Sequence, residues 1–293
     1  MLQPMSRPPP ALVFRDVQQG FDRVAAGFDD ADFVHRATFD ELLQRLSPVK
    51  IQPGNILDLG CATGAGSKQL ARRYRGSRVI NLDASFAMLQ RVKQRRTLLM
   101  KPSVLQGDAL RIPLQGQSVG LVFANMLLPW IDDLPACLSE IARVLRKDGV
   151  FAFATLGPDS LSEIREAWYS IDEDRHVNAY PDMHDIGDAL IRANLRDPVL
   201  DVDHLTVTYR DTDALYRDLS SAGARNCLHG RRQTLTGKSR FKAMDNLLAA
   251  RIADDVLSLR LELVYGHAWS AGPRLPQGEF RLDPASISRR QHD

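Results

Sequence analysis

The chain has 293 residues, 44% hydrophobic and 25% charged, enough apolar side chain to bury a full core in a single domain. Its 38 Lys and Arg nearly balance 36 Asp and Glu; the net charge of +2 argues against a nucleic-acid binder or a membrane-surface protein, leaving local clusters to be judged separately. No stretch approaches the roughly 18 consecutive apolar residues of a membrane span, and the opening "MLQPMSRPPPALVFRD" has no uninterrupted apolar run, so a cytoplasmic setting is expected.

In chain order, Pro8, Pro9 and Pro10 mark residues 1–13 as a loose N-terminal arm. "FVHRATFDELLQRLSP" reads as an amphipathic helix stopped by Pro48. From residue 54 to 155, short β-type runs alternate with helical ones. The strands are "NILDLG", "SRVINLD", "SVLQG", "SVGLVFAN" and "GVFAFATL". The helices are "SKQLARRYR", "SFAMLQRVKQRR" and "LPACLSEIARVLRKDG", the last carried through Lys147 and stopped by Gly149. This alternation predicts a doubly wound α/β core with helices on both faces of a parallel sheet.

Beyond residue 156 the order becomes helix, helix, strand, helix, helix, strand. The two late strands are "LDVDHLTVTY" and "LSLRLELVYGHAW", bringing the expected sheet to seven strands. Leu205, Val207 and Tyr209 alternate with polar neighbours, as an edge or half-buried strand requires. Residues 211–255 form a helical insertion between them. The tail, 271–293, lacks an apolar period that would hold it to a core, so the domain is set at 14–270.

The stretch "NILDLGCATGAGS" places Gly60, Gly64 and Gly66 between the first strand and the first core helix, at the carboxyl end of a sheet strand, where open α/β sheets bind ligands. It lacks the Gly-Lys-Ser/Thr ending of a phosphate loop, and its G-x-x-x-G-x-G spacing differs from the dinucleotide fingerprint. Asp58, inside the motif, would repel a pyrophosphate and favours a cationic ligand. Asp83 closes the second strand, positioned to accept from ribose hydroxyls, and Asp108 closes the third, within reach of an adenine amine. A nucleoside with a positive charge and no phosphate satisfies all three acids, which describes S-adenosylmethionine.

Through "LDLGCATGAGS", "VINLDAS" and "LQGDA" the chain resembles the class I S-adenosylmethionine-dependent methyltransferases, a Rossmann-like fold. Through "FDRVAAGFDDADFVHR", "ANMLLPWIDDL", "FATLGPDSLSEIREAW", "HVNAYPDMHDIGDAL" and "GARNCLHGRRQTLT" it resembles the BioC family, the malonyl-acyl-carrier-protein O-methyltransferases of biotin synthesis, over residues 14–270. The resemblance implies methyl transfer to the free carboxylate of a malonyl thioester on acyl carrier protein, with S-adenosylhomocysteine as the other product and no metal. It implies a cofactor site of Asp58, Gly60, Cys61, Gly64, Gly66, Asp83, Ala84, Asp108, Ala109 and Asn125. Phe28 stands where that family usually has tyrosine. "LGPDSLSEIREA" and "NCLHGRR" also resemble a complex I assembly factor thought to hydroxylate a protein arginine, so hydroxylation, methylation of another small carboxylate, and cofactor binding without catalysis remain rival readings.

A carboxylate is already ionised at pH 7, so attack on a methyl group needs no general base, and no Ser-His-Asp set is expected. A malonyl carboxylate suits the planar fork of arginine, which nominates Arg23, Arg165, Arg231 and Arg232, with Phe28 and Trp130 as pocket walls. Trp168 fits an apolar pattern, and His176, His184 and His229 lack metal-ligand spacing. Cys61, Cys137 and Cys227 are far apart and read as reduced thiols. Residues 223–242, "GARNCLHGRRQTLTGKSRFK", hold Arg225, Arg231, Arg232, Lys238, Arg240 and Lys242 without one acid, a candidate dock for an acidic carrier protein.

Overall fold

The computed structural model describes residues 12–96, 102–232, 234 and 236–272. Most of the N-terminal arm and the tail from 273 lie outside these residues. Leu12 and Val13, the end of the arm, are tied down: Leu12 bridges to Leu228, and the Val13 N–H donates to the Cys227 carbonyl at 2.8 Å.

Strands β1 (Asn55–Leu59), β2 (Arg78–Asp83), β3 (Ser103–Gln106), β4 (Val119–Asn125) and β5 (Leu145–Leu156) pair in parallel. β7 (Leu257–Ser270) runs antiparallel between β5 and β6 (Leu195–Tyr209), giving seven strands in the order β3-β2-β1-β4-β5-β7-β6. The Rossmann-like α/β architecture is that expected from the alternation, and β6 is the edge strand that its alternating pattern requires.

Why the central strands are apolar on both sides follows from what covers them. Side chains alternate across a strand, so Leu57, Val122 and Phe151 face helices α5 (Leu134–Val144) and α7 (Met183–Arg192), through Leu138, Ile141 and Leu190. Ile56, Phe123 and Ala152 face α2 (Phe33–Arg45) and α3 (Ser67–Arg73), through Phe39, Leu42 and Leu70. Fully burying each Leu, Ile, Val or Phe side chain among these contributes about 1.5–3 kcal/mol. α4 (Phe86–Gln94) begins at Ser85, whose side chain accepts from the Met88 N–H.

Two boundaries differ from the sequence reading. Helix α5 ends at Val144 instead of running through Lys147, because Leu145 turns extended, with φ −69° and ψ 131°, and pairs with Val119. Its apolar side chain is worth more inside the sheet than continuing an amphipathic period would be, since residues 146–148 are exposed. β6 begins at Leu195, five residues before "LDVDHLTVTY". Pro198 hid that start; an edge strand with a register shift between Arg196 and Val199 tolerates a residue with no N–H to give.

Helix α1 (Phe14–Val24) is tied to the segment after β2 through Gln18–Ala84 and Asp22–Ser85 hydrogen bonds, whereas α2 packs on a face of the sheet. α6 (Ser162–Tyr169), α8 (Thr212–Ser221) and α9 (Lys238–Ala249) form a separate apolar cover with the start of β7, packing Ile164, Trp168, Leu215, Met244 and Leu257 together. Among the described residues no helix is long and apolar enough to cross a membrane.

Candidate active site

The chain leaves β1 toward β2 on one side, while β4 lies on the other, so a crevice opens at the carboxyl ends of β1 and β4. The loop after β1 is shaped by two glycines. Gly60 has φ +74°, a region favourable to glycine, and a Cβ there would come within 2.9 Å of Leu127. Gly66 is required by packing: a Cβ would sit 2.1 Å from the Phe39 ring of α2. Ala62 also takes a left-handed conformation, φ 46°, and its N–H is held by Asp83 Oδ2 at 2.9 Å.

Asp83 therefore does two jobs at the end of β2. Oδ2 fixes the glycine loop, and Oδ1 accepts from the Ser85 N–H at 2.8 Å. Burial lifts its carboxyl to about 6 against those hydrogen bonds. Asp58 lies within the same crevice, 5% exposed, and burial pushes it to about 7 although the Ser67 hydroxyl donates to its Oδ2 at 2.8 Å. Two desolvated carboxylates with raised pKa values mark a site that gains from an incoming cation and from hydroxyl donors.

The floor and rim come from neighbouring strand ends. Asp108 Oδ1 accepts from the Leu110 N–H at 2.9 Å, and Ala109 is buried beside it. The Ala84 carbonyl accepts from Gln18 of α1 at 2.8 Å and from Gln106 at 3.1 Å. Asp22 of α1 accepts from the Ser85 hydroxyl at 2.6 Å, so α1 is latched over the Asp83 side. Phe28 lies buried in the crevice wall, edge-on to Phe21. Cys61 lines it too, its thiol held well above its ordinary pKa by burial and by Asp83 and Asp58, hence protonated and unreactive.

A second, mainly apolar cavity adjoins the crevice, lined by Leu156, Ile164, Val207, Leu219 and Leu261 with Tyr180, Asn178 and Arg225. His35, Met126 and Trp130 border both. Sequence reading passed over His35 as one polar position in an amphipathic helix; it carries no motif, and only the fold brings it to the shared wall.

A family model described as a methyltransferase domain matches residues 57–153. A malonyl-[acyl-carrier protein] O-methyltransferase from Gallionella capsiferriformans (strain ES-2) is 39% identical over 266 residues, covering 88% of this chain and 91% of that protein. One of the same name from Halorhodospira halophila (strain DSM 244 / SL1) is 39% identical over 284 residues, covering 94% and 96%. The chain belongs to the malonyl-[acyl-carrier protein] O-methyltransferase family. Its fold is shared more widely: the crystal structure of the YcgJ protein from Bacillus subtilis superposes with a TM-score of 0.60 at 14% identity, covering 81% of this chain and all of that one.

Within this methyltransferase frame, Asp58, Gly60, Cys61, Gly66, Asp83, Ala84, Asp108, Ala109 and Asn125 all line the crevice. Gly64 faces away, toward Val92 of α4, where a Cβ would meet that side chain at 3.0 Å. Asn125 gives its Nδ2 to the His35 carbonyl at 2.8 Å and leaves Oδ1 buried without a partner. An unsatisfied buried acceptor costs about 1–3 kcal/mol unless a ligand supplies the donor.

The nominated arginines are dispersed. Arg23 is exposed on α1 and donates to Gln19 at 3.4 Å. Arg231 pairs with Asp16 at 2.6 Å and Arg232 with Asp174 at 3.0 Å. Arg165 donates to the Pro158 and Ser160 carbonyls, both at 3.0 Å, and lines a third cavity behind Tyr180. None of the four borders the shared wall. Trp130 does, edge-on to Phe21 at 5.2 Å. Trp168 stacks on His176 at 3.6 Å, and His176 sits 2.9 Å from Asp172.

Proposed function

We propose that this chain is an S-adenosylmethionine-dependent O-methyltransferase that esterifies the free carboxylate of a malonyl group carried on acyl carrier protein, a reaction serving biotin synthesis. The observation that carries the reading is the union, through one shared wall, of a crevice bearing desolvated acids with an apolar cavity that can admit an acyl thioester. The 39% identity to proteins named for that reaction supports the acceptor.

The residues fit the cofactor. Gly60 leaves the backbone open to close approach, Asp83 and Asp108 can accept from ribose and adenine, and Asp58 lowers the energy of a nearby positive charge. When bound, the cofactor supplies an electrophilic methyl group on a sulfonium. The chain's own task is to orient and desolvate an acceptor that is already ionised, so no side chain has to take a proton. Met126 and Trp130 at the shared wall, with Phe28 in the crevice wall beside them, exclude water and strengthen the polar contacts there.

Incubation with methyl-labelled S-adenosylmethionine and malonyl-loaded carrier protein tests this. Base-labile label on the malonyl group is expected; label on another acceptor, or oxygen added to a protein arginine, would replace the reading with one of its rivals.

A further inference from the structure

Which group holds the carboxylate that accepts the methyl? Chemistry alone favours arginine, yet the four nominated guanidiniums lie away from the wall where crevice and apolar cavity meet. At that wall stands His35, in the first turn of α2, among the described residues the one titratable side chain that lines the crevice from the Asp83 side, from the Asp58 side and from the apolar cavity. Its ring is held edge-on by Phe28, centroids 5.1 Å apart, and its carbonyl is fixed by Asn125 and Thr38. Nδ1 is buried with no hydrogen-bond partner, and the ring lines both cavities, so Nε2 is the ring nitrogen left for a ligand.

We propose that His35, as a neutral imidazole, donates its Nε2–H to the acceptor carboxylate and so holds the malonyl group in line with the cofactor crevice. The tautomer follows from the surroundings. An enclosed Nδ1 with no acceptor nearby has nothing to receive a proton's hydrogen bond, so the proton resides on Nε2, where a ligand can use it. Burial, which drives the imidazolium form down to about 4, keeps the ring uncharged at neutral pH.

A neutral donor also suits the reaction better than a guanidinium. A bidentate arginine would occupy both carboxylate oxygens and offset the negative charge that draws the acceptor toward a sulfonium. One N–H orients a single oxygen and leaves its partner free with its charge intact. The 1,3-relation of carboxylate and thioester then sends the rest of the substrate into the apolar cavity, past Asn178 and Tyr180. His35 thereby sets both position and specificity: an acceptor lacking the carboxylate gains nothing from it.

The inference rests on the carboxyl-methylation reading, and the experiment separates the two. His35→Leu and His35→Gln are compared with the wild type for methyl transfer, for cofactor affinity by calorimetry, and for affinity of a malonyl thioester in the presence of S-adenosylhomocysteine. If the wild type does not methylate malonyl-carrier protein, the reading itself fails. If it does, His35→Leu is expected to lose at least 30-fold in turnover and tenfold in malonyl-thioester affinity, with cofactor affinity within twofold of wild type. His35→Gln, which keeps an N–H on a side chain of similar reach, is expected to recover part of both. In the S-adenosylhomocysteine complex, the ¹⁵N resonance of Nε2 should shift when malonyl thioester is added and stay put with acetyl thioester. Unchanged turnover in a folded His35→Leu protein, equal losses in both variants, or a resonance indifferent to the malonyl carboxylate would overturn the assignment.

Discussion

The crevice and the apolar cavity that meet at His35 are assembled by opposite means. The crevice takes Asp58, Asp83, Asp108 and Asn125 from the ends of β1, β2, β3 and β4, all within residues 58–125, and Asp58 and Asp83 are desolvated acids. The cavity takes its walls from residues as far apart as Ala31 and Leu261, contributed by the N-terminal helices, the sheet and the helical cover, and its chemistry is shape and water exclusion. On the proposed reading, recognition of the cofactor is electrostatic and local, while admission of the acceptor depends on how the cover is docked. The two halves should fail independently when broken.

Asp83→Ala attacks the crevice hardest. It removes the proposed ribose acceptor and also frees the Ala62 N–H that pins the glycine loop. Cofactor affinity should fall by about 1.5–3 kcal/mol, the range for hydrogen bonds to a charged group. Calorimetry should register that loss, while malonyl-thioester binding to any residual cofactor complex remains.

Gly66→Ala probes the glycine loop through packing. The added methyl would overlap the Phe39 ring, so about 1–3 kcal/mol of destabilisation is expected from displaced α2. Denaturant melts should show it, with cofactor affinity reduced because α2 also carries His35.

Proton linkage gives a test that needs no mutation. Asp58 titrates near 7 in the folded protein against an ordinary 3.8, so its ionisation costs folded stability; the cost is absent below about pH 4 and complete above about pH 7. A cationic ligand favours the ionised form, so cofactor affinity should rise with pH from 6 to 8 and then level, and binding at pH 7 should release part of a proton. Calorimetry in buffers of different ionisation enthalpy measures this. Asp58→Asn should remove the linkage, weaken the cofactor and raise the melting temperature of the ligand-free protein at pH 8, by about 2–4 °C per kcal/mol relieved.

The smallest effect is expected at the basic segment. Arg231, Arg232 and Arg240 of "GARNCLHGRRQTLTGKSRFK" face Asp16, Asp174 and Asp172, so reversing them would break internal pairs together with any docking contact. Lys238 and Lys242 are exposed on α9 and make no ion pair among the described residues. Lys238→Glu with Lys242→Glu should lower kcat/KM for malonyl-carrier protein by about three- to tenfold at low salt, and less at 300 mM, since exposed charges are screened within about 8 Å at physiological ionic strength. A small malonyl thioester should be affected less.

The sheet and the crevice were readable because their signals are short-range. Asp58, Asp83 and Asp108 each end an apolar run, and strand ends in a parallel sheet are neighbours by construction. The misplaced end of α5 arose where one residue, Leu145, satisfies both a helical and a strand pattern, and pairing with Val119 decides between them. Arginine was favoured for the carboxylate on chemistry alone, with nothing in the chain to say which side chains reach the shared wall. His35 gives no local signal at all: its importance comes from contact with the end of β4, 90 residues away at Asn125.

The claim that an acceptor reaches the crevice through the apolar cavity is tested most directly by plugging that cavity away from the cofactor. Ala222 lines it at the end of α8 and is partly exposed, so Ala222→Trp can fill the space without disturbing the sheet. The expected result is unchanged cofactor affinity and melting temperature, with turnover of malonyl-carrier protein down at least tenfold. Full turnover in the plugged protein would contradict the account, as would loss of cofactor affinity in step with activity.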